Sequence, residues 1–74
     1  MAKLTKREIA RFHRHVDGLN KLIEQVRKRM PQACYYIADG RLELMSASSH
    51  ANGEPQPGRI LESASMPYAD GGGW

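Results

Sequence analysis

The stretch Ile9-Ala10-Arg11-Phe12-His13-Arg14-His15-Val16-Asp17-Gly18-Leu19-Asn20-Lys21-Leu22-Ile23-Glu24-Gln25-Val26-Arg27-Lys28-Arg29-Met30 decides the architecture of this chain. Its apolar residues fall at strict three-four spacing: Ile9, Phe12, Val16, Leu19, Ile23, Val26 and Met30. Ile9, Val16, Ile23 and Met30 occupy one heptad position, and Phe12, Leu19 and Val26 occupy the other, as in a helix with one continuous apolar edge. Thr5-Lys6-Arg7-Glu8 reads as a capping box that opens the helix, with Leu4 and Ile9 placed to form a hydrophobic staple. Pro31 closes it, because the residue before a proline is disfavoured in the helical region. A helix over about 5–30 is predicted, roughly 39 Å long at 1.5 Å per residue. Asp17-Gly18 offers a turn between two shorter helices as the alternative. Continuity is preferred, because the apolar spacing keeps its register across Gly18.

Working outward, the next signal is a hairpin over 33–46. The segments Ala33–Ala38 and Arg41–Ser46 flank Asp39-Gly40, a favoured type I′ pair. Folding there sets Tyr35 opposite Leu44 and Ile37 opposite Leu42, on a face suited to cover the helix. The other face, with Tyr36 opposite Glu43 and Cys34 opposite Met45, is mixed and reads as exposed or as an interface. Residues 47–58 read as a loop by composition. Residues 59–66, anchored by Ile60, Leu61, Ala64 and Met66, read as a third antiparallel strand, and 67–74 as a tail. The expected fold is α+β: one domain over 1–74, with a long N-terminal helix followed by a three-stranded antiparallel sheet (α-β-β-β).

At 74 residues the chain lies near the size where a single core barely suffices, and such domains often gain stability by oligomerising. Cys34 is the lone cysteine, which excludes an internal disulfide and fits a reducing compartment. The N-terminus reads as carrying no signal peptide, and no apolar run approaches the roughly 18 residues that span a bilayer. The expected setting is therefore cytoplasmic, away from membranes. The formal charge of +3 hides an asymmetry. Residues 1–31 carry nine Lys/Arg against three acids, and residues 32–74 carry two against five. The basic face of Lys6, Arg7, Arg11, Arg14, Lys21, Arg27, Lys28 and Arg29 suits nucleic acid or an acidic protein, or else is a plain solvated surface.

A sheet of six-residue strands is some 20 Å long and shields about half such a helix. The uncovered remainder would be an exposed apolar stripe of the kind that marks an interface. Ile9, Phe12, Val16, Leu19, Ile23, Val26 and Met30 are therefore the expected oligomer interface, with a homodimer favoured.

Catalytic and metal chemistry find little support. Ser48-Ser49-His50 with Asp70 lacks a nucleophile elbow, so a hydrolase is rejected and no catalytic residue is assigned. His13 and His15 stand two apart on a helix and face different directions, so no metal or other cofactor is expected. The Ser48–His50 loop, Tyr68 and Trp74 suit partner or ligand binding, since hydroxyls, an imidazole and large aromatics hydrogen-bond and stack.

The run Leu42-Glu43-Leu44-Met45-Ser46-Ala47-Ser48-Ser49-His50, with the terminal Gly71-Gly72-Gly73-Trp74, resembles short accessory proteins encoded by tailed phages and prophages. The resemblance covers about half the chain. It implies stoichiometric binding that blocks a host defence or regulatory complex in the host cytoplasm. The expected function is a non-enzymatic, self-associating inhibitor of a host protein. The alternatives are a small nucleic-acid-binding regulator using the basic helix, and a sponge that holds a nucleotide messenger between subunits through Ser49, His50 and Trp74.

Overall fold

The computed structural model describes residues 3–74; Met1 and Ala2, part of the N-terminus read as carrying no leader, lie outside the described residues. Helix α1 spans Lys6–Arg27 and is capped as its sequence demands. The Glu8 backbone N–H donates to Thr5 Oγ1 at 3.1 Å, and the Thr5 backbone N–H donates to Glu8 Oε1 at 2.9 Å. Two donors that helix geometry would orphan are thereby satisfied. The bond from the Thr5 backbone, with the hydroxyl second, holds the Glu8 carboxyl below its ordinary value. Leu4 and Ile9 both stay exposed, so the expected staple buries little.

The helix passes through Gly18 unbroken, which removes the two-helix alternative. It stops three residues short of the expected end at Met30. Lys28 N–H donates to Gln25 O at 3.3 Å and Arg29 N–H to Val26 O at 3.0 Å, a tightening to i→i−3 bonds ahead of Pro31. Arg27 Nε then donates to Pro31 O at 3.0 Å and ties down the turn.

Strands β1 (Cys34–Ala38), β2 (Arg41–Met45) and β5 (Ile60–Ser65) form an antiparallel sheet in the order β1-β2-β5. The hairpin register is the expected one, with Tyr35 opposite Leu44 and Ile37 opposite Leu42. Asp39 and Gly40 both take positive φ, 53° and 72°, as a type I′ turn requires. Between β2 and β5 the pairing shifts from Leu44–Glu62 to Met45–Ile60, so Leu61 is the extra residue of a bulge. The bulge takes Leu61 out of the alternation and leaves it exposed.

Two expectations fail. Residues 47–58 are not a plain loop: β3 (His50–Ala51) and β4 (Glu54–Pro55) make a second small hairpin, followed by a 3₁₀ turn at Pro57–Arg59. Its turn is Asn52-Gly53, with φ of 54° and 79°, the same two-residue chemistry as Asp39-Gly40. The sheet face read as exposed or as an interface instead holds the most buried residues of the sheet, covered by the chain itself. Met45 is 0% and Glu43 3% exposed, and Ala38 is fully enclosed.

The helix lies across the opposite face, where Tyr35 Oη donates to Leu19 O at 2.9 Å. Burial there raises the Tyr35 phenol above its ordinary value. Only the C-terminal part of α1 meets the sheet: Val26 is buried, whereas Ile9, Phe12 and Val16 are exposed. The molecule measures 43 × 28 × 18 Å with a radius of gyration of 14.3 Å. A compact domain of this length would have about 11 Å, and the excess is the projecting helix. Among the described residues, no helix is long and apolar enough to cross a membrane.

Candidate functional site

Two surfaces carry the residues singled out from the sequence, and they differ in kind. The first is the apolar edge of α1. Val26 is 6% exposed and belongs to the protein's own core, while Leu19, Ile23 and Met30 are half-buried. Four of the seven proposed interface residues are thus at least partly used within the chain. The free part of the edge is Ile9, Phe12 and Val16, with Phe12 58% exposed. Beside it, the helix and sheet leave an open apolar groove of about 190 Å³, lined by Leu19, Leu22, Tyr35, Leu42, Leu44 and Ala64. Glu62 is the charged residue on its wall. The groove exists because one helix cannot span the face of a three-stranded sheet.

The second surface is the tail-covered face. Gly71 runs against β1 so closely that a Cβ there would sit 2.9 Å from Ile37 Cγ2 and 3.2 Å from Ile37 O. Only glycine permits that approach. Asp39 N–H then donates to Gly72 O at 3.4 Å, and Tyr36 Oη donates to Gly73 O at 2.8 Å. Trp74 finishes on the Tyr36 ring, with centroids 4.9 Å apart. His50 packs edge-on against Tyr36 at 5.7 Å and places Nε2 3.2 Å from the Trp74 backbone oxygen. That oxygen can only accept, so Nε2 carries the proton, and in the neutral ring Nδ1 accepts from Ser49 Oγ at 2.9 Å.

Ser49, His50 and Trp74 therefore do meet, but they satisfy one another within a single chain. Ser48 is exposed, and its backbone oxygen accepts from Arg59 Nη1 at 2.8 Å. Tyr68 is 99% exposed and stands outside the cluster. Two participants were missed from the sequence. Tyr36 anchors both tail and His50, and Glu43 lies buried on the same face. Glu43 Oε1 is 3.8 Å from Arg41 Nε, and Oε2 has no hydrogen-bond partner. The strand alternation put Tyr36, Glu43 and Met45 on one face; what covers that face was not readable from it.

The basic residues ring the outer side of α1. Lys21, Lys28 and Arg29 border a shallow hollow with Glu24 and Gln25, and Arg11 borders another with Phe12 and His15. Arg27 is engaged with the backbone of Pro31. Comparison of the chain with protein-family models, curated proteins and solved structures finds no match.

Proposed function

We propose that this protein is a self-associating binding protein whose dimer is built on the first half of α1. The observation that carries the reading is the split along a single helix: Val26 is enclosed, whereas Ile9, Phe12 and Val16 project beyond the sheet. An apolar stripe of that length on a chain this small is the signature of an interface. The occupant that fits is a second copy. Each chain carries both a projecting apolar edge and, next to it, an empty apolar groove, and a twofold axis lets each edge fill the other copy's groove.

The binding is stoichiometric on this reading. The host-factor target implied by the likeness to phage accessory proteins would meet surfaces the dimer leaves open. The nucleotide-sponge alternative draws less support, because Ser49, His50 and Trp74 already satisfy one another. Sedimentation velocity tests the dimer. The native chain is expected to sediment as a dimer, and Phe12→Lys as a monomer with an unchanged far-UV spectrum. A native chain that stays monomeric at high concentration overturns the proposal.

A further inference from the structure

The side of α1 opposite its apolar edge has a regularity that neither folding nor dimerisation uses. Arg7, Arg14, Lys21 and Lys28 recur every seven residues, and Arg11, Gly18 and Gln25 fill the positions between them. At about 100° per residue these seven share one arc roughly 100° wide, and they run about 32 Å along the axis. Every one is exposed. No acid lies within the arc: Asp17 and Glu24 fall just outside one border, and Glu8 lies roughly 60° beyond the other, beside Arg11. Among the described residues the ion pair formed is Arg41–Glu43, so the five cations of the arc have no carboxylate partner.

Gly18 supplies the second observation. It stands in the interior of a long helix, where glycine is unfavourable, with ordinary helical backbone. A Cβ built on it would meet nothing within 4 Å, so no packing within the chain requires its absence. It is also the midpoint of the arc from Arg7 to Lys28. A straight rod laid against a convex cylinder comes closest at its middle, and there the helix has its smallest residue.

We infer that this arc is a docking surface for the sugar-phosphate backbone of a double-stranded nucleic acid, with Gly18 as the notch at the point of closest approach. A duplex presents regularly spaced phosphates on a convex surface, asks for cations and supplies no apolar contact. The arc matches that: it contains no aromatic or aliphatic side chain larger than the stems of its Lys, Arg and Gln residues. An acidic protein would instead call for a desolvated apolar or aromatic centre, which the arc lacks. Contacts to phosphate alone carry no base readout, so the binding is independent of sequence. The arc lies on the side of α1 away from Ile9, Phe12 and Val16, so dimer and duplex occupy different faces.

Fluorescence anisotropy with labelled 20-base-pair DNA and RNA duplexes of unrelated sequence tests this. Both duplexes are expected to bind at low salt with similar affinity. Affinity should fall as salt rises to about 200 mM, with a log-log slope of about −4.5 for five cations. Arg14→Glu with Lys21→Glu should weaken binding at least about tenfold. The diagnostic variant is Gly18→Ala. It should raise the melting temperature by about 4 °C or more and yet weaken duplex binding severalfold. A merely tolerated glycine would give the first effect without the second. Absent binding at low salt, a flat salt titration, undiminished binding by Gly18→Ala, or preference for polyglutamate over either duplex would each overturn the inference.

Discussion

The two ends of this molecule handle apolar surface in opposite ways. On the far side of the sheet, Ala38 and Met45 are fully enclosed, and a glycine strap with Trp74 and His50 of the second hairpin packs on Tyr36. At the other end, Ile9, Phe12 and Val16 are left in solvent on the helix. The difference is one of reach. A strand advances about 3.3 Å per residue and a tail folds back over it, whereas α1, about 33 Å long, simply outruns the sheet. The strap end is thus part of the fold's own core, and the free helix end adds nothing to it.

That contrast can be broken. Met45→Ala should cost about 2–5 kcal/mol in chemical denaturation, since it opens a cavity at a fully enclosed site. Phe12→Ala, measured at concentrations where the chain is monomeric, should change stability by no more than about 0.5 kcal/mol, as an exposed site does. Similar losses from both would mean that the helix edge is not free. A smaller effect concerns Glu43, whose Oε2 is buried without a partner. Glu43→Gln removes an incompletely compensated charge and should raise stability by about 1 kcal/mol. A loss of that size would show that the carboxylate is satisfied by a group not seen among its contacts.

The smallest effect is at the helix start. The Glu8 carboxyl is held below its ordinary value of 4.5 by the Thr5 backbone first and hydroxyl second. A lowered carboxylate contributes stability that is present above the unfolded value and lost as pH falls through the folded one. Glu8→Gln keeps the capping geometry without the charge, so its helical signal should change less than the native one across that acidic window. Identical profiles would dismiss the contribution.

Much of the fold was legible because it is local. The capping box and the Asp39-Gly40 turn each depend on residues within one helical turn or one hairpin, and each formed as read, whereas the helix carries the apolar edge to Val26 and stops before Met30. The second hairpin was equally local. Asn52-Gly53 carries the same type I′ chemistry, and the Pro and Ser residues around it masked a signal that its strands of two residues were too short to reinforce. The site was harder. Nothing in the alternation of Tyr36, Glu43 and Met45 told that residues 71–74, more than 25 positions away, would close over them. Nor did Tyr68 betray that it would stand fully in solvent while Trp74 packed.

Backbone hydrogen bonding and side-chain periodicity act over a few residues, so the chain's own order determined the long capped helix, its apolar and basic sides, and the hairpin register. Which face of the sheet became the core was decided by the tertiary structure alone. That choice depends on where a glycine strap can approach β1 to 2.9 Å of a would-be Cβ, and on how far one helix extends past its sheet. Such distances exist only after distant segments have packed.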